Sequence, residues 1–301
     1  MGCGASTSPT PAMPDVRYDA SNLATRIGSG ASCDVFLGTL LPSGEQVAVK
    51  LLDKLTTNPK RRAVLAEDIE GARTEAALLK QLQDCSHIVR LVGFLEDDKK
   101  AVTVLELVSG GDLLTAMEQG YREDDVKRLF AQILVALSAC HELGIAHRDI
   151  KPENILLSRP RTDARVVVVD LGFAKMRSKG LRGRFTSNLG SPMYKAPEIW
   201  DRDVRARGYD GAASDMWSAG VLLFLMLSGQ FPFRCQPAMK AFKSARDYAR
   251  MQRKLLRTAV LAGDVHFDEA VWADVSPAGR ALVSSLLRTD VRKALRGPML
   301  A

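Results

Sequence analysis

Hydrophobic and polar positions alternate over short runs in the first third of the chain and recur at helical spacing afterwards. Leu23 to Ile27, Asp34 to Leu40 and Gln46 to Leu51 are strand-like runs, and Pro42-Ser43-Gly44 marks the turn between the last two. Arg62 to Leu82 is rich in Ala, Leu and charged residues without proline, which predicts a helix. Val89 to Phe94 and Ala101 to Leu107 predict two further strands joined by the polar turn Glu96 to Lys100. After Gly110-Gly111 the period changes. Val126, Leu129, Phe130, Ile133, Leu134 and Leu137 recur at i, i+3, i+4, i+7, i+8 and i+11, an amphipathic helix. Val166 to Val169 reads as a short buried strand, and helices are predicted near Ala213 to Leu227, Met239 to Ala262 and Pro277 to Leu287. A strand-rich part followed by a helix-rich part predicts two lobes with a cleft between them, hinged near Gly110-Gly111.

The composition supports a substantial core: 301 residues, 46% hydrophobic and 26% charged. The net charge of +7 favours acidic partners, though a solvated basic surface accounts for it equally well. The five cysteines show no C-x-x-C pair, and without a secretory signal they point to a reducing compartment. The apolar run from Trp217 to Leu227 is far short of the roughly 20 residues of a membrane span and reads as a buried helix. The start, Met1-Gly2-Cys3-Gly4-Ala5-Ser6, fits N-myristoylation at Gly2, and palmitoylation of Cys3 would add the second lipid that stable anchoring needs. The expected location is then the cytoplasmic face of membranes and the cytoplasm. Residues 1–16 read as a flexible acylated tether.

His147-Arg148-Asp149-Ile150-Lys151-Pro152-Glu153-Asn154 places a carboxylate, a lysine and an amide at short offsets in one loop. Phosphoryl transfer uses such a set: a carboxylate orients the attacking hydroxyl, a lysine meets the moving phosphate and an amide oxygen holds a metal. With Asp170-Leu171-Gly172 downstream, the string resembles the catalytic loop of eukaryotic protein kinases, and Lys151 marks the serine/threonine type.

The resemblance covers roughly residues 18–300 and implies an α+β, bilobal protein kinase fold. Its N-lobe would span 17–108, strand-rich with one main helix, and its helical C-lobe 109–301. It implies ATP and Mg2+ as substrate and cofactor. Ile27, Gly28, Ser29 and Gly30 would form the loop over the phosphates, with Cys33 where the family has a third glycine. Lys50 would neutralise the α- and β-phosphates, paired with Glu75; Glu67 and Glu70 compete for that role because Thr56 to Glu70 looks like an insertion. Leu105 falls at the gatekeeper position, Glu106 to Val108 at the hinge, and Val35, Ala48 and Leu156 would sandwich adenine. Asp149 would be the base, Lys151 would stabilise the transferred group, and Asn154 and Asp170 would hold magnesium. His147 is expected to be structural. Ser191 should bridge Asp149 and Lys151, Glu198 should pair with Arg292, and Asp215 should brace the catalytic loop. Arg148 and Lys175, beside the basic Arg182 and Arg184, could receive a phosphate on Ser187 or Thr186. Asp112 and Glu153 lie where the family recognises basic residues upstream of the target.

Ile145 to Leu157 and Gly229-Gln230-Phe231-Pro232-Phe233 look most like the calcium/calmodulin-dependent kinase group. The acylation-type start is similar to that of calcium-dependent kinases, but the chain has no Asp-x-Asp-x-Asp-Gly loop, so direct calcium control is not expected. Lys240, Lys243, Arg246, Arg250, Arg253, Lys254 and Arg257 would give one cationic helix face, suited to anionic lipid, to an acidic partner or simply to water. Nucleic acid is not expected, since no aromatic residues interleave with the charge. The expected function is transfer of the ATP γ-phosphoryl to protein Ser or Thr, with protein substrates as partners. The competing expectation is a membrane-tethered pseudokinase that binds nucleotide, motivated by Cys33, the insertion and a shortened end.

Overall fold

The computed structural model describes residues 15–19, 22–29, 33–55, 59–118, 120–160, 163–176, 185–233 and 244–289. The chain divides into two compact units, one of Met1–Lys80 with Arg90–Leu107 and one of Gln81–Val89 with Val108–Ala301.

The first unit is an antiparallel sheet with one long helix. In chain order it holds β1 (Asp15–Tyr18), β2 (Arg26–Ser29), β3 (Asp34–Leu41), β4 (Gln46–Asp53), α1 (Pro59–Gln81), β5 (Leu91–Glu96) and β6 (Lys100–Glu106). The sheet order is β1-β3-β4-β6-β5, with β2 pairing further along β3. Side chains alternate across β4, so Val47 and Val49 point to one face while Ala48 and Lys50 point to the other. Val47, Val49, Val102 and Val104 form the core of the first face, and Val16, Tyr18, Leu40, Leu51 and Val92 pack on it. Burying each such valine is worth roughly 1.5–3 kcal/mol.

Three local expectations differ from this arrangement. Residues 15 and 16, expected in a tether, belong to β1, where Asp15 pairs with Leu41 and Val16 with Leu40. Leu23–Thr25, expected as strand, is a 3-10 turn because the Asn22 carboxamide oxygen accepts from Ala24 N at 3.0 Å. The helix expected from Arg62 to Leu82 begins three residues earlier, with Pro59 at the first helical position, where its missing N–H costs nothing.

The second unit is mainly helical. It contains α2 (Leu113–Met117), α3 (Glu123–Glu142), β7 (Ile145–Ala146), β8 (Ile155–Leu157), β9 (Val166–Val168), β10 (Lys175–Met176), α4 (Pro197–Trp200), α5 (Arg202–Arg207), α6 (Gly211–Ser228), α7 (Ala245–Ala262), α8 (Glu269–Trp272) and α9 (Pro277–Leu286). The predicted stripe of α3 is buried at Val126, Leu129, Phe130, Ile133 and Leu137, and Ala136 and Cys140 join it; Leu134 is only half-buried. Helix α6 is long and apolar enough to cross a membrane, yet most of it lies inside the unit. Its start is capped by Asp210, whose carboxylate accepts from Ala212 N and Ala213 N. Val89, expected to open β5, donates instead to Val168 O at 3.0 Å, beside the Ile88–Val168 bridge, and so belongs with this unit. The Gly110-Gly111 pair is bonded to β8 through Gly110 N to Leu157 O (2.8 Å) and Leu157 N to Gly111 O (2.9 Å). A Cβ at Gly110 would lie 2.3 Å from the Leu157 carbonyl, so only glycine fits that approach.

Candidate active site

Strand parity brings one group of candidate residues together within the first unit. Antiparallel register places Val35 opposite Lys50 and Leu37 opposite Ala48; across β6, Lys50 faces Thr103 and Ala48 faces Leu105. Val35, Ala48, Lys50 and Leu105 thus share one sheet face, and Gly28 pairs with Val35 at its end. The Lys50 ammonium donates to both oxygens of Glu75, at 2.8 and 2.9 Å. Glu75 is 4% exposed, on the α1 face that also buries Leu78, Leu79 and, just past its end, Leu82. The competitors lie elsewhere: Glu70 accepts from Arg73, and Glu67 is exposed. Ile27 is half exposed, and Glu106 accepts from Arg90 N at 3.0 Å. Gly30 and the side chain of Ser29 lie outside the described residues.

The loop that follows β7 is built on a single buried carboxylate. Asp215, at the start of α6, is fully buried; Oδ2 accepts from His147 N at 2.8 Å and Oδ1 from Arg148 N at 2.7 Å. The His141 ring reaches Oδ2 at 2.9 Å. Arg148 adopts φ 67°, a left-handed conformation that costs a non-glycine residue about 1–2 kcal/mol. His147 is buried, its Nε2 lies 3.1 Å from Val169 O and its Nδ1 accepts from Asp149 N, so its ring is structural.

Asp149 is the focus of this loop. Oδ1 accepts from Ser191 N (2.9 Å) and Ser191 Oγ (3.0 Å). Oδ2 meets the Lys151 ammonium at 2.8 Å and Asn154 Nδ2 at 3.1 Å. Lys151 also donates to Ser191 Oγ at 3.2 Å, so Ser191 joins the two as the motif implies. Gly190, with φ 88°, makes this possible: a Cβ there would stand 2.6 Å from the Arg148 carbonyl.

Asn154 and Asp170 are brought together by the β8–β9 hairpin, in which Ile155 pairs with Val168 and Val169 N donates to Asn154 O at 2.9 Å. Asp170 is left-handed, φ 64°. The Asn154 amide nitrogen is spent on Asp149, leaving its oxygen for a cation. Among the described residues there is no cluster of three His, Cys, Asp or Glu that would cage a metal alone. One carboxylate and one amide oxygen suit magnesium, which keeps waters and phosphate oxygens in its remaining positions.

Downstream, Arg148 donates through Nε to Phe173 O and through a terminal nitrogen to Ser187 Oγ, each at 2.7 Å, and lies 5.1 Å over the Phe185 ring. Burial lowers its pKa from the usual arginine range. Thr186 is exposed. Glu198 is buried with no ion pair among the described residues; burial, and less so Asp210, raises its pKa to about 7. Its expected partner Arg292, like Arg182, Arg184 and the side chain of Lys175, lies outside the described residues, as do Gly2 and Cys3. Asp112 caps α2 by accepting from Thr115 N at 2.7 Å, which commits one oxygen of a residue expected to read substrate; Glu153 is exposed. Val108 and Leu156 are half-buried in the second unit. His141 was not singled out in the sequence. It acts 74 positions from Asp215 and carries no local signal.

The sequence matches the protein kinase domain family over residues 21–296. It is 31% identical to CBL-interacting protein kinase 16 of Oryza sativa subsp. japonica over 91% of this chain and 56% of that protein. It is 33% identical to CDPK-related kinase 1 of Arabidopsis thaliana, over 84% of this chain and 39% of that protein. Identity to calcium/calmodulin-dependent serine/threonine-protein kinase 1 of Oryza sativa subsp. japonica is 34%, over 84% and 38%. The chain thus spans about two-fifths to just over half the length of these relatives, and their names agree with the group that its motifs resemble.

Proposed function

This chain belongs to the protein kinase domain family, and from that premise we propose that it transfers the γ-phosphoryl group of ATP to serine or threonine hydroxyls of protein substrates. The observation that carries the reading is the Asp149 carboxylate, held on both oxygens by Ser191, Lys151 and Asn154. So fixed, it orients the acceptor hydroxyl for in-line attack on the γ-phosphorus and takes up its proton as the bond to the leaving ADP oxygen breaks. Lys151 meets charge on the moving phosphoryl, and Lys50, poised by Glu75, meets the α- and β-phosphates. Asn154 and Asp170 would hold magnesium, whose charge would offset that of the phosphates.

Three finer readings belong to this proposal. Exposed Glu153 supports a preference for basic residues near the target, with Asp112 the lesser contributor. A phosphate on Ser187 would meet Arg148, which already donates to that hydroxyl, so phosphorylation would order the segment. Acylation at Gly2 and Cys3 would tether the chain to membranes, supported by the Met1 to Ser6 string; myristate-analogue labelling that persists in Gly2→Ala would refute it.

The deciding experiment is transfer from Mg-ATP to Ser/Thr peptides, beside an Asp149→Asn variant and nucleotide binding measured on both. Transfer that needs Asp149 supports the enzyme. ATP bound by the wild type with no transfer to any peptide or protein would favour the pseudokinase.

A further inference from the structure

Lys195 stands at the edge of the Asp149 site. It lines one small pocket with Asp149, Gly190, Ser191 and Tyr194. It lies four residues past Ser191, no more than about 14 Å of extended chain. Its ammonium sits 5.8 Å from the Trp200 ring centroid and donates to Asn188 Oδ1 at 3.0 Å.

Other cations converge on the same place. Arg205 of α5 donates to Ile199 O at 2.6 Å, and Arg257 of α7 donates to Trp200 O at 3.3 Å. Helix α7 packs on α4, which brings Arg253 into range as well. The positive fields of Arg253 and Arg205 add to burial in lowering the Lys195 pKa, and the field of Asp149 opposes them. One carboxylate, Asp201, shares this neighbourhood with Arg257 and Arg207, but its Oδ1 is spent capping α5 through Asp203 N and Val204 N. Among the described residues no salt bridge forms to Lys195, Arg205, Arg253 or Arg257.

We propose that Lys195, Arg205, Arg253 and Arg257 form a subsite for a carboxylate or phosphate side chain of the peptide substrate, within about four residues of the acceptor hydroxyl. This rests on the phosphoryl-transfer reading and names a substrate feature for it. A peptide side chain fits better than a lipid surface because Lys195 is half-buried and shares its pocket with Asp149, where a flat membrane could not follow.

The test uses the full chain and peptides with one serine. Asp, phosphoserine, Ala or Lys is placed in turn at each of the four positions on either side. Each peptide is measured for kcat/KM and, by fluorescence anisotropy, for Kd. At one position Asp and phosphoserine should exceed Ala by about fivefold or more, with Lys below Ala. The Asp-to-Ala ratio should fall towards one in Lys195→Met and in Arg253→Glu, the latter an exposed site whose change spares the fold. A flat profile in the wild type, or a ratio unchanged in both variants, overturns the proposal. So does a flat profile accompanied by loss of phosphatidylserine-vesicle binding in Arg253→Glu, which would make the face a lipid surface. Absence of transfer to every peptide would refute the enzyme, while the Kd ratios would still decide the subsite.

Discussion

Asp215→Asn is the sharpest test of how the catalytic loop is held. The aspartate presents two acceptor oxygens, and adjacent backbone N–H groups divide between them: His147 N to Oδ2, Arg148 N to Oδ1. An amide has one acceptor and one donor. Whichever way it is turned, one backbone N–H then faces an NH2 group. The better orientation puts nitrogen at the Oδ2 place, where the His141 ring can accept from it, and sacrifices the bond from His147 N. An unsatisfied buried donor costs about 1–3 kcal/mol, and loss of the charge weakens the other bond, so the sum is about 2–4 kcal/mol. For a chain of 301 residues that lowers Tm by about 3–6 °C. Asp149 sits on the displaced segment, so kcat should fall at least about tenfold. Calorimetry and steady-state transfer on the same preparation measure both, with His141→Ala, which removes only the side-chain partner, as a milder control of about 1 kcal/mol. A Tm within about 2 °C of wild type together with an unchanged kcat would refute the bracing role.

Other changes should be equally readable. Gly190→Ala, blocked by the Arg148 carbonyl and by positive φ, should separate Ser191 from Asp149 and cut kcat about a hundredfold while nucleotide Kd stays within about twofold. Glu198 has a folded pKa of about 7, above its unfolded value, so its contribution is fully present near pH 4 and is lost as pH rises through 7. Urea unfolding from pH 5 to 8 should show stability declining by up to about 3 kcal/mol in wild type and far less in Glu198→Gln; equal slopes would disprove this. Glu123 accepts from Ser276 Oγ at 2.5 Å and Ser276 N at 2.8 Å, joining α3 to the cap of α9. Glu123→Ala should therefore cost about 1–3 kcal/mol by chemical denaturation, with no change in KM for ATP.

Much of this was legible in the sequence because it is local. Alternation set the faces of β4, the i, i+3, i+4 stripe announced α3, and the residues that hold Asp149 are within five positions of it, apart from Ser191. Legibility failed where the decisive partner is far away. Nothing near Glu123 foretells Ser276, 153 residues on, and Lys195 gains its cationic company only when α7 packs on α4. Among the three glutamates of α1 the offsets of Leu78, Leu79 and Leu82 favour Glu75, and the fold sends Glu75 to Lys50 and Glu70 to Arg73. Short elements such as α2 and α4 lack enough residues to show a period, and depend on Asp112 and Pro197 to start them.

The parity of β4 sets where this chain can change length. Val35, Lys50, Ala48 and Leu105 meet on one face because each strand side chain points opposite to its neighbours. One residue inserted or deleted between Gln46 and Lys50 would turn the lysine into the valine core and leave Glu75 facing an apolar side chain. The turns at 42–45 and 97–99 lie outside that constraint, since they can lengthen without shifting the register. Indel libraries built on this chain should therefore recover nucleotide binding from insertions at the two turns and never from single-residue insertions inside β4.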